Sequence, residues 1–572
     1  MRRITGRFLS VLAFILAGSG ALMGCGGPAA APPATPPATP PAVAAPRLVV
    51  LIVVDQLSAW AFERDRPLYR GGFARLLREG AYVRAGELPY ANTFTAPGHA
   101  TIGTGAPPSV HGVVGNTWYR RDEGAEQSAE HDPDAPPLAV GPSQGGAPKP
   151  EDAASSHALR VEGIADALRR ATAGRARSAA ISLKARAAVF VAGKRPDAVV
   201  WYEPTAGGMT TSRAYAAEAP PWLVELARTR PASRFFGQTW EPLDAAALAR
   251  ATGIPDDAAG EGSVHGLGVA FPHSLAASDR PERAILHTPF ADELVMDAAL
   301  AAIPALGLGA DGVPDLLAVS FSAHDYAGHL WGPESWEALD LKLRLDAALG
   351  RLFEQLDARL GRGAWAAVLT ADHGVTPVVE RSKVSGARRI RTDEIARAVE
   401  SVLEPRMGKG PWVAQIASGN VYLSAAFGSA PAIARDDALS AAADAVGRIP
   451  GVATAARSDR LAGPCDAQTP LLRALCLSVV PGESGELVVV PAAGSVITNF
   501  TSGSHHDAPF DDNRRVPILV LAPGLAPQAG TGSLLQVAPT VAALLGVPPP
   551  PAATAPPLFG LRARASAPAP AR

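Results

Sequence analysis

The chain has 572 residues, 47% hydrophobic and 19% charged, a composition that excludes a largely disordered protein. Its formal net charge of -2 gives no electrostatic basis for binding nucleic acid, so no nucleic-acid partner is expected. Three cysteines are too few for a fold held together mainly by disulfides.

The first 25 residues have the layout of a bacterial export signal. A start containing three arginines precedes the apolar segment 8–21. The sequence Leu-Met-Gly-Cys25 then resembles the lipobox of bacterial lipoproteins, in which the cysteine is lipidated and becomes the mature N-terminus. We therefore predict a signal peptide at 1–25, export to the periplasm or cell surface, and a lipid anchor at Cys25. The alternatives are cleavage at an ordinary signal-peptidase site or an uncleaved membrane anchor.

Two segments are dominated by alanine and proline. Residues 26–46 predict an extended spacer, and residues 562–572 predict a disordered tail, because neither segment can bury an apolar core. Export would place Cys465 and Cys476 in an oxidising compartment, where they form either a disulfide or two free buried thiols.

Strand and helix patterns alternate through the region 47–561, which we predict to be one folded domain. The alternation indicates an α/β fold with a mainly parallel central sheet. In such folds, ligands bind beyond the carboxyl ends of the strands. The predicted strands are 48–54, 178–181, 316–321, 365–370 and 516–521, and the predicted helices are 72–79, 335–360, 537–545 and one that follows the Gly- and Pro-containing segment 95–105.

Two stretches of this domain are predicted to be insertions that pack over the core as cap elements. They lie near 190–285 and 380–500. The first contains Trp201, Tyr202 and Trp222, which we expect to serve packing rather than substrate contact.

Polar residues gather at or just beyond the predicted strand ends. Aspartate and neutral histidine are natural zinc ligands. The aspartate and histidine of the His-Asp-Tyr-Ala-Gly-His segment are four positions apart, so on a helix they share one face. Each fragment alone is weak, because an Asp-His-Gly is most often a turn and paired histidines can form a surface loop. The candidates, in chain order, are Asp55, Thr95, Asp325, His329, Asp372, His373 and His506.

Taken together, these fragments carry a family resemblance. The order Asp, Thr-x-Pro-Gly-His, Asp-x-x-x-His, Asp-His-Gly, His resembles the type I phosphodiesterase/nucleotide pyrophosphatase branch of the alkaline phosphatase superfamily, from about residue 48 to 547. The segments that carry it are TFTAPGHATIGTG (93–105), HGVVGNTWY (111–119), VLTADHGVTP (368–377) and RRVPILVLAPG (514–524).

The resemblance implies an alkaline-phosphatase-like fold and two zinc ions bridged by substrate. One ion would be held by Asp325, His329 and His506. The other would be held by Asp55, Asp372, His373 and the oxygen of Thr95.

Thr95 would be the nucleophile and would form a phospho-threonine intermediate. It precedes Pro97 and Gly98 at an apparent helix start, where backbone N–H groups favour a phosphoryl group. The alternative is that Thr95 only caps the helix. A sulfatase is disfavoured, because its Cys/Ser-x-Pro-x-Arg pattern is replaced here by Thr-Ala-Pro-Gly-His.

Three further residues bear on the substrate. Asn116 matches the family asparagine that donates to a nonbridging phosphate oxygen, although Gly-Asn is also a common turn. Lys184 and Arg186 resemble the Lys-x-Arg of the phosphate-irrepressible alkaline phosphatases, a monoesterase subgroup, with Ala185 where many relatives have aspartate. In an extended segment, two residues two positions apart face the same way. The alternative is that both are solvated surface charges.

The sequence therefore predicts an exported, lipid-anchored, two-zinc alkaline phosphatase that acts on small-molecule phosphate monoesters. Extra cationic donors would favour a dianionic monoester over a monoanionic diester. One alternative is a phosphodiesterase or nucleotide pyrophosphatase on the same site. A more remote alternative is a non-catalytic zinc-binding lipoprotein.

Overall fold

The structure is a computed structural model that describes residues 45–141, 149–461 and 463–562. The signal peptide 1–25 with its lipid-anchor cysteine, the spacer 26–46 apart from its last two residues, and the tail beyond residue 562 lie outside the described residues. Over the described ranges, no helix combines the length and the hydrophobicity needed to cross a membrane.

The core of the protein is a nine-stranded sheet. Its central strand is the run of β-branched and apolar residues after residue 47, and every residue of that strand is buried, as expected for a strand covered on both faces. In spatial order the strands are β19 (Gln528–Gly530), β2 (Ala81–Glu87), β18 (Arg515–Leu521), β11 (Trp365–Thr370), β1 (Leu48–Val54), β10 (Asp315–Phe321), β5 (Ser178–Ser182), β6 (Ala198–Glu203) and β7 (Gly208–Thr210).

Five adjacent strands in the middle of this sheet run parallel. β1 pairs in parallel with both β10 and β11, and the parallel order continues through β5 to β6. Antiparallel pairs occur toward the edges, at β11–β18, β18–β2 and β6–β7. The predicted α/β fold with a mainly parallel sheet is confirmed, and the carboxyl ends of the five strands meet at one edge.

Helices cover the sheet and begin where local sequence favours it. The predicted helix at 335–360 starts one residue later, because Ser335 is its N-cap and accepts a hydrogen bond from the Ala338 N–H. The segment 95–105 itself forms a helix, which begins at Thr95, as the place of that residue before Pro97 and Gly98 suggested, and not after the segment. The helices are α1 (Ala59–Asp65), α2 (Gly72–Glu79), α3 (Thr95–Thr104), α4 (Pro108–His111), α5 (Ile164–Ala171), α6 (Ala185–Val191), α7 (Pro221–Thr229), α8 (Ala245–Thr252), α9 (Pro281–Ala284), α10 (Pro289–Ala305), α11 (Ala323–Leu330), α12 (Trp336–Leu360), α13 (Thr392–Met407), α14 (Ala425–Gly428), α15 (Ala432–Gly447), α16 (Pro470–Ser478), α17 (Asp511–Arg514) and α18 (Val537–Leu545).

The segment 380–500 contains a second, smaller sheet with its own apolar core. Its strands, in spatial order, are β13 (Val413–Ala417), β14 (Asn420–Leu423), β16 (Leu487–Pro491) and β15 (Val452–Arg457). Buried side chains of α13 and α15 pack against this antiparallel sheet. Three short two-stranded sheets complete the strand inventory: β3 (Thr117–Arg120) with β4 (Ala125–Ser128), β8 (Thr239–Trp240) with β9 (His273–Ser274), and β12 (Arg389–Ile390) with β17 (Val496–Ile497).

The segment 190–285 differs from a simple insertion. Its first part supplies β6 and β7 to the central sheet, and Trp201 and Tyr202 are buried within β6. The sequence analysis missed this although β6 is a short buried apolar run, because the Pro- and Gly-containing loops around it suggested an insertion. Elsewhere, Cys465 and Cys476 form a disulfide with a Cα–Cα distance of 5.6 Å, which decides between the two thiol states left open above.

Candidate active site

Three buried carboxylates meet at the carboxyl edge of the sheet. Asp55 follows β1 directly, Asp372 lies two residues beyond β11, and Asp325 is in the first turn of α11, just after β10. Because β11, β1 and β10 are parallel neighbours, residues that follow them are brought to one place. The sheet topology thus joins three aspartates that are far apart in the sequence.

Histidine side chains complete two groups of potential metal donors. In each group the donor atoms lie within 4.8 Å of one another. One group is Asp325, His373 and His506, and the other is Asp55, Asp372 and His373. His329 adjoins the first group, since its Nε2 lies 3.3 Å from Asp325 Oδ1 and 3.1 Å from His506 Nε2. The structure therefore places His373 between the two groups, whereas the sequence had suggested it for one ion alone.

Each of the three histidines is oriented by a backbone carbonyl. The Nδ1 atoms of His329, His373 and His506 lie 2.8, 2.9 and 2.5 Å from the carbonyl oxygens of Ser504, Gly374 and Thr93, respectively. A hydrogen bond from Nδ1–H to a carbonyl leaves Nε2 unprotonated and able to bind a metal. These contacts orient all three side chains as metal ligands.

Several of these donor atoms form no hydrogen bond to any described residue, although His99 Nδ1 lies 3.2 Å from Asp372 Oδ2. Asp55 Oδ1, Asp372 Oδ2 and His373 Nε2 are buried and lack a hydrogen bond within the described residues. His373 Nε2 lies 3.5 Å from Asp55 Oδ1 and 3.4 Å from Asp372 Oδ2. Buried polar atoms are costly when unpaired, and a cation shared by two carboxylate oxygens and an imidazole nitrogen would satisfy all three. The site thus offers the donor atoms that a divalent metal would need, and several of them form no hydrogen bond to the described part of the chain that would compete with the metal.

The electrostatics of the site also favour additional positive charge. Burial, followed by the charges of Asp325 and Asp372, raises the pKa of Asp55 well above its ordinary value, despite the nearby Lys184 ammonium. Burial lowers the pKa of His506 and of His373, so both imidazoles are neutral ligands near pH 7. One lysine does not offset three buried carboxylates, and a bound cation would keep all three ionised.

Thr95 is the first residue of α3 and is almost fully buried, with 1% of its surface exposed. The N-cap of the helix is Phe94, so Thr95 does not have the capping role considered above. Gly98 allows α3 to approach the donor groups, because a Cβ at this position would lie 2.4 Å from the Asp372 carbonyl oxygen. The glycine of the Thr-x-Pro-Gly-His motif is therefore required for the approach of the helix.

Lys184 contacts both donor groups and the threonine. Its Nζ donates to Asp55 Oδ2 at 2.7 Å and also to Asp325, and it lies 3.5 Å from Thr95 Oγ1. Burial alone would lower the pKa of Lys184, but Asp325 and Asp55 raise it above its ordinary value, so the side chain carries a positive charge. The alternative that Lys184 is a solvated surface residue is excluded, because it is buried.

The predicted geometry of Lys184 and Arg186 is wrong. β5 ends at Ser182, Lys184 is the N-cap of α6, and Arg186 lies in the first turn of that helix. The pair is therefore not in an extended segment, because the helix begins between the two residues. Sequence alternation could not reveal a helix that starts directly after the lysine.

Arg186 and Asn116 both have unused hydrogen-bond donors. Arg186 Nη1 lies 3.9 Å from Glu130 Oε1, too long for a hydrogen bond, and its buried Nε has no partner within the part of the chain that the structure describes. Asn116 Oδ1 accepts a hydrogen bond of 2.9 Å from the Ala96 N–H at the start of α3, so its NH₂ group can donate to another acceptor. Both side chains could therefore donate to an anion bound near Thr95.

Three further residues contact the site and were not predicted from the sequence. Gln56 hydrogen-bonds to the carboxylates of Asp325 and Asp372, Glu130 faces Arg186, and the ring centroid of Tyr326 lies 5.0 Å from Lys184 Nζ. Position next to Asp55 was the only signal for Gln56 in the sequence. Glu130 belongs to no motif, and Tyr326 occupies a variable position of the Asp-x-x-x-His segment.

The sequence profile of the type I phosphodiesterase/nucleotide pyrophosphatase family matches residues 49–503 of the chain. The chain is 33% identical over 367 residues to alkaline phosphatase PhoV of Synechococcus elongatus, covering 61% of this chain and 64% of that relative, slightly under two thirds of its length. It is 27% identical over 526 residues to alkaline phosphatase PafA of Elizabethkingia meningoseptica, covering 88% of this chain and 92% of that relative.

A crystal structure of alkaline phosphatase PafA superposes with a TM-score of 0.82 at 26% identity, covering 91% of this chain and all of the other. A second PafA structure, at 25% identity, carries substitutions of a threonine, an asparagine, a lysine and an arginine. In that variant the threonine and asparagine are 21 positions apart and the lysine and arginine two apart. Thr95 and Asn116, and Lys184 and Arg186, have the same spacings here.

Proposed function

The chain belongs to the type I phosphodiesterase/nucleotide pyrophosphatase family, and within it we propose that this protein is an exported alkaline phosphatase that hydrolyses small-molecule phosphate monoesters. Both relatives described above are named alkaline phosphatases. The observation that carries the proposal is the position of the Lys184 ammonium, 3.5 Å from Thr95 Oγ1 and in contact with both donor groups. Export and a lipid anchor at Cys25 are proposed from the N-terminal sequence pattern alone.

We propose that the site holds two zinc ions. Asp325, His329 and His506 would hold one, and Asp55, Asp372, His373 and the Thr95 oxygen would hold the other. Mixed aspartate and histidine donors suit zinc, although they accept other divalent ions as well. When bound, two such cations supply Lewis-acid stabilisation of the attacking and leaving oxygens in an in-line displacement.

Thr95 would act as the nucleophile. Its oxygen would form a bond to phosphorus while the bond from phosphorus to the leaving alcohol breaks, and water would then hydrolyse the phospho-threonine and regenerate the hydroxyl. Thr95 lies at the N-terminus of a ten-residue helix, where the helix dipole stabilises a phosphoryl group. Its burial would exclude bulk water from the reacting oxygen.

Lys184, Arg186 and Asn116 would bind the nonbridging oxygens of the phosphoryl group. A monoester is a dianion with three such oxygens, whereas a diester is a monoanion with two. The free donors of Arg186 and the charge of Lys184 therefore match a monoester better than a diester. Bound cations would take over the neutralisation of Asp55 and Asp325 and would leave the Lys184 ammonium available to the substrate.

Replacing both Lys184 and Arg186 by alanine is expected to reduce kcat/KM for a monoester by roughly two to four orders of magnitude. Each charge-assisted contact to the dianionic transition state contributes on the order of 1.5–3 kcal/mol. The slow hydrolysis of a diester should change little, because it lacks the third oxygen and the second charge. The measurement compares p-nitrophenyl phosphate with methyl p-nitrophenyl phosphate.

The informative quantity is the decrease in kcat/KM for the monoester relative to that for the diester. Damage to folding or to metal binding would affect both substrates alike and would leave this ratio unchanged. Arg195→Ala, at an exposed site, serves as the control for removing a positive charge. Equal losses for monoester and diester would show that the pair has a structural role. A wild-type preference for the diester would favour the phosphodiesterase alternative.

A further inference from the structure

Gln56, like Lys184, hydrogen-bonds to aspartates of both donor groups. Its side-chain Nε2 donates to Asp325 Oδ1 at 2.7 Å, and its backbone N–H donates to Asp372 Oδ1 at 3.1 Å. The residue is fully buried and directly follows Asp55. A single residue thus connects three of the proposed metal ligands.

The backbone at Gln56 adopts an unfavourable conformation to make these contacts. Its φ is +67°, in the left-handed region, which is unfavourable for a residue with a side chain. Such conformations persist where the surrounding structure enforces them, and they concentrate at functional sites. Here the conformation turns the backbone N–H toward one aspartate and the side chain toward the other.

Gly328 makes room for this side chain. A Cβ at position 328 would lie 1.8 Å from Gln56 Oε1, and the three atoms nearest to that Cβ all belong to Gln56. Gly328 is inside α11, where alanine would normally be preferred over glycine. The position of the Gln56 amide therefore explains why residue 328 of the Asp-Tyr-Ala-Gly-His segment is a glycine.

We propose that Gln56 is a positioning residue that holds Asp325 of one metal site through its side-chain amide and Asp372 of the other through its backbone N–H. Asp325 Oδ1 is also the oxygen nearest to His329 and His506, at 3.3 and 3.6 Å from their Nε2 atoms. The amide that donates to this oxygen sets its direction toward the two imidazoles. Removal of a residue that hydrogen-bonds to a metal ligand typically weakens metal binding by roughly 10- to 100-fold.

The substitution Gln56→Gly removes one of the two contacts and keeps the other. Glycine tolerates a positive φ and keeps the backbone N–H to Asp372, so only the amide contact to Asp325 is lost. We expect one of two Co²⁺ sites to weaken about 10- to 100-fold while the other is unchanged. The measurement is a Co²⁺ titration of the metal-free full chain, followed by visible absorption, which does not depend on activity.

Ala173→Gly is the matched control. Ala173 is exposed and has a φ of +52°, so this change relieves similar backbone strain away from the site and should leave both Co²⁺ affinities unchanged. If Gln56→Gly weakens both sites equally, or neither, the proposed role is wrong.

Gly328→Ala supplies a second, independent variant. In the wild type its Cβ would displace the Gln56 amide and should weaken the same Co²⁺ site. In the Gln56→Gly background the obstructing atoms are gone, so Gly328→Ala should cause no further loss. Additive losses from the two changes would contradict the proposal.

The inference rests on the two metal sites of the proposed function. The Co²⁺ titration distinguishes a failure of the two-metal site from a failure of the role proposed for Gln56. A wild-type chain that binds fewer than two Co²⁺ ions contradicts both the two-metal site and the positioning role of Gln56. A wild-type chain that binds two, with affinities that Gln56→Gly leaves unchanged, contradicts only the role of Gln56.

Discussion

Thr95→Ala is expected to reduce kcat/KM for a phosphate monoester by roughly four orders of magnitude or more, because it removes the proposed attacking oxygen. The helix N-terminus, Lys184 and the aspartate and histidine ligands all remain, so the substrate should still bind. The loss should therefore fall mainly on kcat. Steady-state kinetics with p-nitrophenyl phosphate measures this directly.

Thr95→Ser is the matched control, because it keeps the hydroxyl and removes only a methyl group. It should retain much of the activity. Acid quench with ³²P-labelled substrate should trap phosphate covalently on the wild type and on the serine variant, but not on the alanine variant. Turnover by the alanine variant near the wild-type rate would rule out Thr95 as the nucleophile, and absence of turnover in the wild type itself would favour the non-catalytic alternative.

Removal of metal is expected to reduce activity to background, and zinc is expected to restore it. Each Lewis-acid contact to a developing charge is worth several kcal/mol, so loss of both cations should cost about three orders of magnitude at least. Elemental analysis of the zinc-loaded chain should find about two equivalents per chain, as the two donor groups imply. The comparison requires chelator-treated protein from which the chelator has been removed.

The same treatment should lower the thermal stability of the protein. Without cations, Asp55, Asp325 and Asp372 remain buried together beside the Lys184 ammonium, which cannot neutralise all three. Metal binding is linked to folding wherever ligands assemble only in the folded chain, so Tm should fall on metal removal and recover with zinc. Full activity in a metal-free preparation would contradict the two-metal proposal.

Sequence patterns determined the fold class and most of the elements that carry the site. The apolar run at 48–54 predicts β1 to the residue, because a strand buried on both faces leaves an uninterrupted apolar pattern. The spacing of Asp325 and His329 likewise predicts their shared helix face, which the 3.3 Å contact between them confirms. Such features depend on neighbouring residues, so a single sequence records them.

Only the tertiary structure decided how these elements meet. It placed His373 between the two donor groups, started a helix directly after Lys184, and gave β6 to the central sheet. It also brought Gln56 to aspartates 269 and 316 positions away. Contacts over such separations follow from the order of the strands and the close approach of helices, and they leave no periodic trace in the local sequence.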